Sequence, residues 1–295
     1  MGTSSYFGGA TGGSALLPPW ADDIDGLPDD SAPLPDDSPN SENKPDSGQE
    51  TDGENNSRPN DNEPRINNRP LRKAVRSYVS GGSGGGGGGS RRVAKSAVKT
   101  LGGAKGASSS SRAGRRSTAG IGRFAGDIAR SGIRGALERL NLGDAIGRPV
   151  GEILSRVADA LTVGEVSVED REAARVATLK TLSLMYERYE QEGGDINALD
   201  AMRTEDVGEF VVASVGFYVY ERVMQAAERV FEGEDYSHQS FLEMEETLRD
   251  FIDSDVRREL RDIDIAQYDW NSQASAQMSQ QLYERAYEIM EAIQA

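Results

Sequence analysis

Hydrophobic positions are scarce at the start of the chain. Between Ala21 and Asn62 the large apolar side chains are Ile24, Leu27 and Leu34. Such a stretch cannot bury enough apolar area to offset backbone ordering, at roughly 1–2 kcal/mol per residue. The pattern predicts a disordered, acidic, proline-rich tether over residues 21–70. Leu71-Arg-Lys-Ala-Val-Arg-Ser-Tyr-Val79 is a short basic amphipathic stretch, and eight of the ten residues in Gly81–Ser90 are glycine. That run reads as a hinge with a reach of roughly 17 Å. Val93, Ala97, Val98 and Leu101 can share one helical face, yet residues 71–117 as a whole are expected to form a basic, glycine-rich flexible segment.

Helical periodicity becomes regular further on, and an all-α bundle or array is expected over residues 118–295. Its first face runs through Ile121, Phe124, Ala125, Ile128, Ala136, Leu137 and Leu140, although Gly122, Gly126, Gly132 and Gly135 interrupt it. Each glycine costs about 1 kcal/mol relative to alanine, so this helix must be packed to form, and Gly122/Gly126 would permit a close helix approach. Ser167 reads as an N-cap with Glu169 and Asp170 in the first turn. The helix it opens should turn Val176, Leu179, Leu182, Tyr186 and Tyr189 inward and stop at Gly193-Gly194. A second runs from Thr204 to Phe231 through the β-branched stretch 210–220. Shorter helices are expected over 240–252 and 255–263. A last one spans 272–293, with Met278, Leu282, Ala286, Ile289 and Ile293 aligned. No hairpin signal is flanked by alternating strands.

Charge divides the chain into three blocks. Residues 1–64 hold 2 Lys+Arg against 14 Asp+Glu, residues 65–148 hold 18 against 3, and residues 149–295 hold 13 against 32. The acidic tail is either a solvated tether or an intramolecular partner for the basic block. Eighteen cations among small residues can neutralise phosphates without sequence preference. Arg91, Arg92, Arg115 and Arg116 are the candidate contacts with phosphate or with an acidic partner. Tyr78 and Phe124 are the only aromatics in this block that might stack on bases.

Composition removes whole classes of function. No cysteine means no disulfide frame, thiolate metal site or cysteine nucleophile. His238 is the single histidine, so no His-rich metal site and no second imidazole exist. Glycine runs at 84–89 and 102–106 lack the strand, acidic partner or Gly-Lys-Ser/Thr spacing of nucleotide-binding loops. Glu243, Glu245, Glu246 and Asp250 cluster on one helix and read as a solvated face, while Tyr268 and Trp270 read as packing residues. The longest nearly uncharged run, Phe210–Tyr220, is 11 residues, against about 20 for a membrane span, and no secretory signal is visible. These features point to a soluble cytoplasmic protein with no cofactor and no catalytic constellation.

The amino terminus carries its own signal. Gly2-Thr-Ser-Ser opens a thin glycine-rich strand, and Leu16-Leu-Pro-Pro-Trp20 follows it. Removal of Met1 would expose the Gly2 amine, but Tyr6 stands where a myristoylation signal has Ser or Thr. The segment is either an ordinary disordered start or a strand that enters a narrow active site. In the second case Leu16, Leu17 and Trp20 dock in an apolar groove of a partner.

Taken together, the Gly-Thr-Ser-Ser opening with its Gly-Gly repeats, Leu-Leu-Pro-Pro-Trp, the Asp/Pro-rich tail, the Arg/Gly middle and the helical end resemble the QatB family, the B component of the Qat anti-phage defence system. The resemblance implies an antiviral role beside an ATPase (QatA), a QueC-like enzyme (QatC) and a TatD-like nuclease (QatD). It further implies that Gly2 is modified, accepting a deazaguanine-type acyl group from the QueC-like partner. A nucleic-acid-binding adaptor that uses residues 65–148, or a plain helical scaffold, are the alternatives.

Overall fold

The computed structural model describes residues 68–81, 88–190, 194–232, 236–265 and 268–292. Among them the secondary structure is helical, with no strand: α1 (Arg69–Val79), α2 (Gly88–Thr100), α3 (Gly103–Ser110), α4 (Arg112–Arg139), α5 (Val150–Thr162), α6 (Val168–Tyr189), α7 (Val207–Phe231), α8 (His238–Leu260) and α9 (Ser275–Ala292). Three short 3₁₀ turns, Gly143–Ala145, Ile196–Ala201 and Thr204–Asp206, join them. No helix among the described residues is long and apolar enough to cross a membrane.

The centre of the domain is α7. It buries Phe210, Val211, Val215, Tyr218, Val219, Val223 and Val230 on several sides, and it packs against α6, α8, α4, α2, α9 and α1. A helix that is apolar nearly all round has to be surrounded, and this explains the β-branched run 210–220. Six neighbours supply the packing that offsets its modest helix propensity. Its start after Thr204 and its end at Phe231 agree with the sequence reading.

The expected boundary at residue 118 is corrected. Helices begin at Arg69, and much of the segment 71–117 is built into the domain. Leu71 and Val75 of α1 and Val93, Ala94, Ala97 and Val98 of α2 are completely buried. Both helices lie on α7. An 11-residue helix is marginal alone, but packing of its apolar stripe on a core supplies what propensity does not. Residues 82–87, the middle of the expected hinge, fall outside the described residues, as do residues 1–67.

Three helix starts are closed by carboxylates from distant parts of the chain. The Ala104 N–H donates to Glu291 Oε2 at 2.8 Å, at the start of α3. The Ala113 N–H donates to Asp170 Oδ2 at 2.9 Å, at the start of α4. The third closes a break inside α4, where Gly132 adopts φ 72° and ψ 170°, a region that L side chains avoid. There the Ile133 N–H donates to Asp200 Oδ1 at 2.6 Å. Each carboxylate meets an otherwise unpaired helix N–H and the positive end of the dipole. Carboxylates from α9, α6 and the 196–201 turn thus hold the starts of α3 and α4 and the break within α4.

Ser167 caps α6 by accepting from the Asp170 N–H. Other faces are rotated. In α6 the buried residues include Ala173, Ala174, Ala177, Thr178, Thr181 and Leu182, while Val176, Leu179 and Tyr189 are only half-buried. The helix ends at Tyr189, ahead of the two glycines. Small residues face inward because α6 packs closely on α7, α4 and α5. The two helices expected over 240–263 are one, α8. Ile252, Val256 and Leu260 continue a single stripe through the expected gap, and Arg257–Asp253 and Arg258–Asp255 pairs, 2.8 and 2.7 Å, brace it.

Candidate functional site

Gly2, Leu16, Leu17 and Trp20 lie outside the described residues. The four arginines singled out from the sequence lie within them, and they do not form one cluster. Arg91 and Arg92 sit on α2, where the Arg91 guanidinium lies over the Phe251 ring of α8 at 5.5 Å. Arg115 and Arg116 sit on the first turns of α4, and Arg116 donates to the Val163 carbonyl after α5 at 2.7 Å. The two pairs therefore face different neighbours.

Arg92 belongs to a different grouping that spacing reveals. On α2 it shares one stripe with Lys95 and Lys99, opposite buried Val93, Ala94, Ala97 and Val98. On α1 the stripe is Arg69, Arg72, Lys73 and Arg76, opposite buried Leu71, Ala74 and Val75. The helices pack on each other and both pack on α7, and each stripe lies opposite the buried residues of its own helix. Neither helix contains an acidic residue. On later helices Arg175 pairs with Asp159 at 2.7 Å, Lys180 with Glu221 at 2.7 Å, and Arg188 with Glu209.

A second constellation, which sequence reasoning missed, lies inside the domain. Tyr218 on α7 donates to Asp170 Oδ1 at 2.6 Å, while Asp170 Oδ2 holds the start of α4. One turn and more along α4, the Thr118 hydroxyl is 2.9 Å from Ser214 Oγ and 3.0 Å from the Tyr283 hydroxyl. The Tyr287 hydroxyl, one turn further along α9, is 3.1 Å from Ser111 Oγ, and Ser111 donates to the Ala107 carbonyl at 2.7 Å. The rings of Tyr218 and Tyr283 are 5.2 Å apart. All these side chains are buried.

The chemistry of this constellation is that of a closed structural network. Each named hydroxyl and both Asp170 oxygens have partners. Burial pushes the Tyr218 and Tyr283 phenols well above their ordinary value. Burial also raises Tyr287 to about 12, against the opposing effects of the Ser111 hydrogen bond and the Arg222 charge. A phenol held neutral without solvent access is a poor base and a poor nucleophile. The sequence trace of the network is Tyr283 and Tyr287 at helical i,i+4 spacing, facing Ser111 and Thr118 seven residues apart.

The remaining candidates also take structural places. Glu243, Glu246 and Asp250 are exposed as expected, but Glu245 is turned inward. It accepts from Tyr220 at 3.1 Å and from Arg249 at 2.7 Å. His238, the first residue of α8, is exposed. Trp270 is buried with Tyr268 edge-on at 5.2 Å. Among the described residues no three Asp, Glu or His side chains come together as metal ligands would.

Two glycines of α4 make room for these aromatics. A Cβ on Gly114 would lie 2.5 Å from the Tyr218 ring, and one on Gly122 would strike the Trp270 indole. The close approach expected at Gly122 thus admits a side chain from a connection, and Gly126 meets only the end of Arg130. Tyr218 is fixed in mid-helix with its hydroxyl on Asp170, whereas Trp270 stands on the irregular stretch between α8 and α9. Gly114→Ala is therefore expected to lower the unfolding free energy by about 3 kcal/mol, and Gly122→Ala by about half of that. Urea denaturation of the two variants, compared at equal slope, checks the order.

A family model described as Qat anti-phage system associated protein QatB matches residues 102–290, more than half of the chain. The match begins at the α2–α3 junction and takes in the interior network. No curated protein and no solved structure matches the chain.

Proposed function

Because the chain belongs to the QatB family of the Qat anti-phage system, we propose that it works there as a non-catalytic component whose amino terminus is conjugated by a partner enzyme. The observation that carries this reading is the closure of the interior network. The buried hydroxyls and carboxylate that might have formed a reaction centre are bonded to one another and to helix ends. The remaining candidate chemistry lies at Gly2.

An α-amine has a pKa of roughly 7.7–8.0 against about 10.4 for a lysine, so a useful fraction is unprotonated near pH 7. Glycine adds no side chain to hinder attack. A QueC-like partner would use ATP to activate a 7-deazaguanine carboxylate as its acyl-adenylate, releasing pyrophosphate. The Gly2 nitrogen then forms the amide bond, AMP leaves, and the amine proton passes to solvent. Leu16, Leu17 and Trp20 would anchor the strand in an apolar groove of that partner, while the helical domain docks on the ATPase or the nuclease.

Intact-mass measurement of the protein produced with its operon tests the conjugation. The expected result is an amino-terminal fragment beginning at Gly2 and heavier by one deazaguanine acyl group. Residues appended ahead of Gly2 are expected to abolish both the added mass and phage protection. An unmodified Gly2 terminus in a protecting strain would overturn the reading.

A further inference from the structure

The junction between α5 and α6 combines the features of a protein contact, and we infer that it docks a partner protein whose surface sets carboxylates around a small apolar pocket. Val163 and Val168, 70% and 72% exposed, are the large apolar side chains that stand exposed among the described residues. Val163 follows α5 directly and Val168 opens α6. Printed on the same few residues are the contacts of two arginines. Arg116 of α4 donates to the Val163 carbonyl at 2.7 Å, and Arg171 of α6 donates to the neighbouring Gly164 carbonyl at 3.1 Å. Arg171 lies one turn after Val168, and Arg112 lies one turn before Arg116. Such spacings put each pair on one face of its helix. The connection is shaped for this: Gly164 has φ 145°, and a Cβ there would collide with the Arg116 guanidinium.

Charge decides what the patch can receive. Arg112, Arg116 and Arg171 are exposed, and none of the three makes an ion pair among the described residues. Nearby arginines do: Arg175 pairs with Asp159 at 2.7 Å and Arg229 with Glu169 at 3.4 Å. A backbone carbonyl takes one of the five N–H groups of a guanidinium and leaves its charge in place. Carboxylates on a facing surface would complement these cations. Arginine is enriched among the residues that carry binding energy, and apolar side chains beside it exclude water from the contact. A phosphate backbone fits less well, because Glu165 and Glu172 stand exposed at the same junction and would repel it. The inference rests on the reading that the helical domain docks on the ATPase or the nuclease, and it names the surface and the chemistry of that contact.

The test starts from tagged full-length protein produced with its operon, which is expected to retain the ATPase or the nuclease. The retained protein, purified, is the probe, and interferometry gives its affinity for the parent and for variants. Arg112→Glu with Arg171→Glu is expected to weaken binding roughly 30-fold or more, and Val163→Asp with Val168→Asp about tenfold. Added salt should weaken the parent more than the arginine variant. Arg116 stays in place because it holds the connection. A control with the same change in charge, Arg261→Glu with Arg285→Glu, is expected to bind within about twofold of the parent. Circular dichroism verifies that the helices are retained, and a carboxylate at position 112 favours the dipole of α4. A retained partner that both variants bind as tightly as the parent does would overturn the inference and leave the docking reading standing. Equal weakening by the control would do the same. Retention of neither protein by the parent would overturn both. Binding of a random-sequence DNA duplex that the arginine variant loses would also overturn the inference, since the patch would then serve phosphate. None of these outcomes depends on Gly2, so they are separable from the conjugation test.

Discussion

Asp170→Ala is expected to cost the domain about 4–5 kcal/mol, enough to unfold a protein of ordinary stability near body temperature. Asp170 is almost completely buried and both of its oxygens are committed, one to the Tyr218 hydroxyl and one to the Ala113 N–H. Removing the carboxylate leaves two buried donors without acceptors, at roughly 1–3 kcal/mol each, and takes the anion away from the start of a 28-residue helix. Asp170→Asn discriminates this account from simple loss of packing. The amide keeps the shape and one acceptor, and the Tyr218 hydroxyl can rotate to accept from the new NH₂. The asparagine variant is therefore expected to lose only about half as much, and Tyr218→Phe about 1–2 kcal/mol. Urea denaturation followed by circular dichroism measures all three. Equal losses for alanine and asparagine would show that the two hydrogen bonds do not dominate.

The same residue shows where sequence reading reached its limit. Asp170 was legible as a first-turn carboxylate behind an N-cap, and Ser167 does cap that turn. That its side chain also closes α4, 57 residues earlier in the chain, depends on a tertiary approach that no local pattern encodes. The rotation of α9 has a related cause. Of the residues expected to align inward, Leu282 and Ala286 are buried and Met278 and Ile289 are half-buried, while Tyr283 and Tyr287 share the core. A tyrosine goes inward when its hydroxyl finds a partner, and here Thr118 and Ser111 supply them.

The basic segment differs from its expected flexible form for a comparable reason. Glycine content and charge argued for a flexible chain, and in isolation an 11-residue helix bearing four cations is unstable. Its stability comes from burying Leu71 and Val75 on α7, a surface 130 residues further along. What did survive the change of setting was the amphipathic pattern. Val93, Ala97 and Val98 were read as one face and form one face, and the cations left on the opposite side became a surface.

The buried tyrosines of α7 and α9 predict steep loss of stability in alkali. Burial raises the phenols of Tyr218, Tyr220 and Tyr283 far above their ordinary value and brings Tyr287 to about 12. In the unfolded chain each returns to about 10. Above pH 10 the unfolded state therefore releases protons that the folded state retains, and stability must fall as pH rises. Stability is full below pH 10 and declines above it by roughly 1.4 kcal/mol per tyrosine per pH unit. Four such groups remove about 4 kcal/mol between pH 10 and 11, close to the whole stability of many domains. Phenolate absorbance and helical circular dichroism are expected to change together in one cooperative step near pH 11. Tyr287→Phe removes one of the four contributions and leaves the Ser111 hydroxyl still donating to the Ala107 carbonyl. Compared with its own stability at pH 8, that variant is expected to decline less steeply above pH 10, by about a quarter. A phenolate signal that rises gradually from pH 9, with the helices intact, would mean that the four α7 and α9 hydroxyl contacts open to water without unfolding.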